Sequence, residues 1–111
     1  MKLKELIEAL DLKVLSETEN TDQEVKGAYV SDLLSDVMGH AKEGEIWITL
    51  QAHSNVIAIA SLKDLPAIIL VKGIEPESEV LQKAREEGIV VLGTEKSTFS
   101  IAGCLYSILN K

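Results

Sequence analysis

Cysteine, histidine, aromatic residues and positive charge are all scarce in this chain of 111 residues. The single cysteine, Cys104, has no internal partner for a disulfide, and in its apolar run it is expected to act as a small buried hydrophobe. With two histidines beside it, neither a CxxC nor a zinc-ligand spacing can be written. Lys and Arg number 11 against 18 acidic residues, for a net charge of -7. Duplex binding needs clustered cations that release counterions, and no basic stripe occurs, so nucleic acid is excluded as an expected partner. No apolar run approaches the ~20 residues of a membrane span. The opening MKLKELIEALDL interleaves charges with leucines and lacks the apolar core and cleavage site of a signal peptide. No membrane contact and a cytoplasmic location are therefore expected. GxxxxGK[ST], GxGxxG and GxSxG are missing too, which leaves a P-loop kinase, a Rossmann dehydrogenase and a serine hydrolase without support.

What is present is a regular alternation. Leu3, Leu6, Ile7 and Leu10 fall at i, i+3, i+4 and i+7 and predict an opening amphipathic helix. A short strand over Leu12–Ser16, an exposed acidic loop over Glu17–Glu24 and a strand over Val25–Val30 follow. Ser31 or Asp32 is placed to cap a helix carrying Leu33, Leu34, Val37, Met38 and Ala41. EIWITL then reads as a strand with both faces covered, because its apolar residues are nearly continuous. Ser54 or Asn55 can cap the apolar helix that begins near Val56, which is expected to be central and poorly solvated. AIILV is the next strand. Glu75, Glu77 and Glu79 open a helix that Gly88 ends. IVVLG gives another strand, and a closing helix from about Ser97 to Leu109 carries Phe99, Ile101, Ala102, Leu105, Ile108 and Leu109 as a broad apolar face. Strands separated by single helices call for a parallel sheet. The expected architecture is α/β: one three-layer domain over residues 1–111, with a central, mainly parallel sheet and helices on both faces.

In such sheets ligands bind at the carboxyl ends of the strands. Thr49, Gln51, His53, Ser54 and Asn55 gather after the EIWITL strand, at a helix start whose unpaired N–H groups attract anions. Lys72 and Gly73 follow the AIILV strand, and Thr94, Ser97 and Thr98 follow IVVLG. All three groups are expected on one edge, so these ten residues form the candidate ligand site. The plain alternative is that Ser54, Asn55, Ser97 and Thr98 only cap helices. Asp32 and Asp36 share a helical face but read as an N-cap and a surface residue. His40 reads as a C-terminal helix residue and Trp47 as core. No catalytic residue, metal site or cofactor is expected.

The succession YVSDLLSDVM, AKEGEIWITLQAHSNVIAIAS, AIILVKG and IVVLGTEKSTFSIAG, from Val25 to Leu109, resembles the DRTGG domain family. That family is similar to the N-terminal domain of HPr kinase/phosphorylase and, more distantly, to that of Mur ligases. The resemblance implies a regulatory or accessory module, found beside CBS domains or phosphotransacetylase or as small free-standing proteins. The family's Asp-Arg falls on Ala52 and His53, and its Thr-Gly-Gly on Val71, Lys72 and Gly73, so only the last glycine is kept. His53 and Lys72 restore some positive charge. The reading is a non-catalytic module that binds a small anionic ligand, a nucleotide or acyl phosphate, and forms a homodimer. The alternative is a protein-interaction or oligomerisation module, accessory to a redox or hydrogenase system, with a protein partner that no residue identifies.

Overall fold

A computed structural model gives the fold and describes residues 1–16 and 20–110. Glu17, Thr18 and Glu19, at the head of the expected acidic loop, lie outside the described residues. The elements are α1 (Leu3–Ala9), β1 (Lys13–Val14), β2 (Gly27–Val30), α2 (Leu34–His40), β3 (Glu45–Thr49), α3 (Asn55–Leu62), β4 (Ala67–Leu70), α4 (Ser78–Glu87), β5 (Val90–Gly93) and α5 (Thr98–Leu109). The five strands form one sheet in the order β1-β5-β4-β3-β2. Strands β2 to β5 run parallel, while β1 pairs antiparallel with β5. The first half of the chain thus supplies both edges of the sheet.

The period of two along each strand divides the core into two clusters. Ile46, Ile48, Ile69 and Leu92 face Leu3 and Leu6 of α1 and Ile101 and Leu105 of α5. Trp47, Ile68, Leu70 and Val91 face Val37 of α2, Val56 and Ile57 of α3, and Val80 and Ala84 of α4. Helices therefore cover both faces, as the continuous apolar strands require. The largest core side chains are fully buried, each worth about 1.5–3 kcal/mol of transfer free energy.

The three crossover helices all lie on one face, so β2, β3, β4 and β5 follow one another across the sheet without reversal. After β5 the chain returns to the face that α1 covers, where α5 packs beneath β2 and β3. The connections leaving β4 and β5 consequently diverge to opposite sides.

Several local expectations are corrected. Neither Ser31 nor Asp32 caps α2: its N-cap is Leu33, whose N–H donates to Ser31 Oγ at 3.1 Å. Ser54 is the N-cap of α3 but makes no side-chain cap bond. Instead the N–H of Asn55 donates to His53 Nδ1 at 3.3 Å. Helix α3 is central in its layer, between α2 and α4, yet Leu62 at its end is 69% exposed. Phe99 is 90% exposed and does not join the apolar face of α5. It lies two residues before Ile101, about 200° around a helix that turns about 100° per residue, and so points away from the core. Cys104 is half-buried rather than fully buried.

Candidate functional site

Val30, Thr49, Leu70 and Gly93 end the four parallel strands on one edge, so their following loops share it. The first two loops are joined by a residue that the sequence reading assigned only to capping. One carboxylate oxygen of Asp32 accepts from Thr49 Oγ1 at 2.8 Å and from the Leu50 N–H at 2.7 Å. The Asp32 carbonyl accepts from Gln51 Nε2 at 3.1 Å, and Thr49 Oγ1 accepts from the Gln51 N–H at 3.1 Å. Thr49 is buried, and its hydroxyl is engaged on both sides. Its place is to hold the loop.

The other two loops are joined through backbone. Lys72 N–H donates to the Lys96 carbonyl at 2.9 Å and Gly73 N–H to the Thr94 carbonyl at 2.8 Å. These bonds require two successive left-handed residues, Lys72 at φ 59° and Gly73 at φ 69°. A Cβ on Gly73 would meet only the movable end of the exposed Glu95 side chain, so it is the φ of 69° that favours glycine there. Thr94 Oγ1 accepts from the Lys96 N–H at 3.2 Å, and Ser97 Oγ accepts from the Ser100 N–H at 3.2 Å as the N-cap of α5. Lys72 is exposed and has no ion-pair partner among the described residues.

A cleft of about 240 Å³ lies between these joined loops and the α1–β1 connection, with Gly73, Glu75, Thr94, Glu95 and Lys96 on one side and Leu10, Asp11, Lys13 and Leu15 on the other. His53 and Ser54 border a second cleft of about 420 Å³, with Glu75, Pro76, Glu77 and Glu79 on its far wall. Glu75 belongs to both, so the clefts are neighbours. The ten candidate residues therefore divide: Gly73 and Thr94 line one cleft, and His53 and Ser54 the other. Gln51 and Asn55 are exposed nearby, Thr49 lies beneath, and Ser97 and Thr98 start α5. Lys13, Glu75, Glu95 and Lys96 are wall residues that sequence reasoning missed. The only available signal was their position directly beside a strand end.

Further along the same helical layer, Tyr29 donates to Asp36 at 2.9 Å, and His40 Nδ1 lies 3.2 Å from the other Asp36 oxygen. The hydrogen bond from Tyr29, then one from Ser31, holds the Asp36 carboxyl below the usual aspartate range and raises the Tyr29 phenol. Among the described residues no group of three His, Cys, Asp or Glu side chains is placed to hold a metal ion. None of their helices is long and apolar enough to cross a membrane.

Comparison with known proteins adds three findings. The family model described as the DRTGG domain matches residues 5–108. Two HPr kinase/phosphorylase proteins of Streptococcus thermophilus are 32% and 34% identical to the chain over 71 residues, which is 62% of it. The chain spans only 23% of the length of those relatives. Among solved structures, the fold is similar to the CBS and DRTGG domains of the regulatory region of Clostridium perfringens pyrophosphatase, complexed with its activator diadenosine tetraphosphate. That likeness has a TM-score of 0.66 at 18% identity and covers 93% of this chain and 44% of the other.

Proposed function

The chain belongs to the DRTGG domain family, and from that premise we propose that it is a regulatory or accessory module without catalysis of its own. It binds a small anionic ligand, of the nucleotide or acyl phosphate class, on the strand-to-helix loop edge. The observation that carries this reading is a cleft at the carboxyl edge of a parallel sheet, beside the point where the β4 and β5 connections part to opposite faces. Open α/β sheets take their ligands in such crevices. In support, a solved DRTGG-containing regulatory region of the same fold holds a dinucleoside polyphosphate.

In this arrangement Gly73 shapes the turn, Thr94, Ser97 and Thr98 offer hydroxyl donors, and Lys13 and Lys96 on the cleft wall, with Lys72 beside it, supply positive charge. Gln51, His53, Ser54 and Asn55 form the neighbouring wall, and Thr49 holds that wall in place. Glu75, Glu77, Glu79 and Glu95 make the edge acidic in sum. An anion is therefore held by hydroxyls and single cations at short range, and binding is expected to be selective rather than a general attraction to negative charge.

A thermal-shift panel of adenine nucleotides, diadenosine tetraphosphate, acetyl phosphate and inorganic phosphate tests the proposal. A true ligand at 100 times its dissociation constant adds about 2.7 kcal/mol to the folded state and raises the melting temperature. Lys96→Ala, on the wall of the first cleft, and His53→Ala, on the wall of the second, place the ligand: the variant that loses the shift marks the cleft in use. No shift from any compound, or a shift that survives both substitutions, removes the ligand reading. The same compounds are expected to show no turnover above blank.

The second reading is an interaction module, and one observation favours it. Phe99, Tyr106, Leu33 and Leu62 are large apolar side chains left in solvent.

A further inference from the structure

The cleft between the β4 and β5 loops and the α1–β1 connection has an apolar floor and a charged rim. Leu10 is buried, and Leu15 and Ile74 are half-buried, while every charged residue around them is exposed. Leu15 is set against the Gly93 backbone, where a Cβ would stand 3.1 Å from it, so this part of the floor lies directly on the end of β5. One donor is left over. Thr94 Oγ1 accepts from the Lys96 N–H, and its own proton has no acceptor among the described residues. Lys13 and Lys96 share the rim with Asp11, Glu75 and Glu95, yet neither lysine forms an ion pair among those residues.

We infer that the ligand of this cleft is a short acyl phosphate and not a nucleotide. The Thr94 hydroxyl and the Lys13 and Lys96 ammonium groups take its phosphate at the rim, and its acyl tail lies on Leu10, Leu15 and Ile74. This rests on the reading of the loop edge as an anion site and decides between its two ligand classes.

Size, shape of the walls and charge all point the same way. A cleft of about 240 Å³ is smaller than the roughly 300–1,000 Å³ that bury a drug-sized ligand, so whatever follows the phosphate is short. A base is commonly held by stacking on an aromatic ring, and neither an aromatic ring nor a side-chain amide lines this cleft. Trp47 is buried in the opposite cluster, Tyr29 is bonded to Asp36, and Phe99 and Tyr106 stand on α5. What the walls offer instead is aliphatic surface, which rewards an aliphatic tail. The three rim carboxylates oppose every added negative charge. A single phosphate group carries about -1.5 to -2 at neutral pH, which two ammonium groups match. A polyphosphate brings more negative charge than those two cations offset.

A series of n-alkyl phosphonates from methyl to pentyl keeps the doubly charged head and varies only the tail, without hydrolysing. Calorimetric titration of the intact chain with this series, and with AMP, ATP and diadenosine tetraphosphate, is the test. Affinity is expected to rise about fourfold per CH₂ over the first members and to level off as the tail fills the cleft. The nucleotides are expected to bind no better than methylphosphonate. Lys96→Ala is expected to weaken every member alike, and Ile74→Thr to flatten the rise with chain length. Nucleotides that bind through Lys96, with affinity flat along the phosphonates, overturn the inference and leave the anion site standing. No binding by any compound removes both. Binding that falls with His53→Ala and not with Lys96→Ala moves the ligand to the neighbouring cleft and also overturns the inference.

Discussion

Asp32 and Lys72 each hold a loop in place at a cost that can be measured. Asp32 supplies the acceptor for the buried Thr49 hydroxyl and for the Leu50 N–H. Asp32→Ala leaves both donors without it and is expected to lower stability by about 1–3 kcal/mol. Thr49→Val removes one of the donors instead, so in the double variant the two losses do not add. Urea denaturation of the four proteins reads the coupling, and strict additivity would disprove the link. Lys72 sits at φ 59°, where the family pattern carries glycine. A non-glycine residue there costs about 1–2 kcal/mol, partly offset by the chain entropy that glycine loses on folding. Lys72→Gly is therefore expected to raise stability by about 0.5–1 kcal/mol even though it removes the free cation. A lower urea midpoint would show that the lysine side chain contributes more to folding than its backbone strain costs.

Helix α2 is fastened to the sheet edge through one carboxylate rather than through a cap. Tyr29 on β2 donates to Asp36 in the helix, and this bond is the first cause of the depressed Asp36 ionisation. A depressed aspartate adds stability that is complete above the ordinary aspartate range and is lost as the pH falls through the lower folded value. Tyr29→Phe keeps the ring and removes the bond. The variant is expected to be less stable than wild type at neutral pH and to converge with it below about pH 4. Urea midpoints at neutral and acid pH measure the gap, and a gap that stays constant would exclude Asp36 as its source. Helix α5 shows the opposite economy. Its N-terminus has the Ser97 cap, the one side-chain cap bond at the N-cap position among the described helices, and its inner stripe of Ile101 and Leu105 is fully buried.

The whole molecule is acidic, and its proposed ligand is an anion. At a net charge of -7 the chain repels that ligand at low ionic strength, and the repulsion is screened once the Debye length falls to about 10 Å near 0.1 M salt. Added sodium chloride is therefore expected to tighten ligand binding. Titration at low and moderate salt decides this, and binding weakened by salt would mean that the cations of the cleft outweigh the charge of the whole. The same charge balance bears on the ligand edge, where four glutamates surround the few cations.

The sequence by itself determined the order of elements, the parallel sheet and the two covered faces. Continuous apolar runs in β3, β4 and β5 and the 3.6-residue apolar period of the amphipathic helices are local signals, repeated over several residues. It also determined which loops share an edge, because parallel strands linked by single helices admit no other arrangement. Family resemblance, carried by the order of short motifs from YVSDLLSDVM to IVVLGTEKSTFSIAG, was legible in the same way. Only the tertiary structure decided which side of the sheet each helix takes, and that a cleft lies between the β4 and β5 loops and the α1–β1 connection. It alone paired Asp32 with Thr49, 17 residues away, since that contact follows from the β2–β3 register and leaves no periodic trace. It also turned Phe99 outward. An apolar residue at a helix start reads as core until the packed stripe fixes the helix rotation, and Ile101 and Leu105 fix it with Phe99 on the far side.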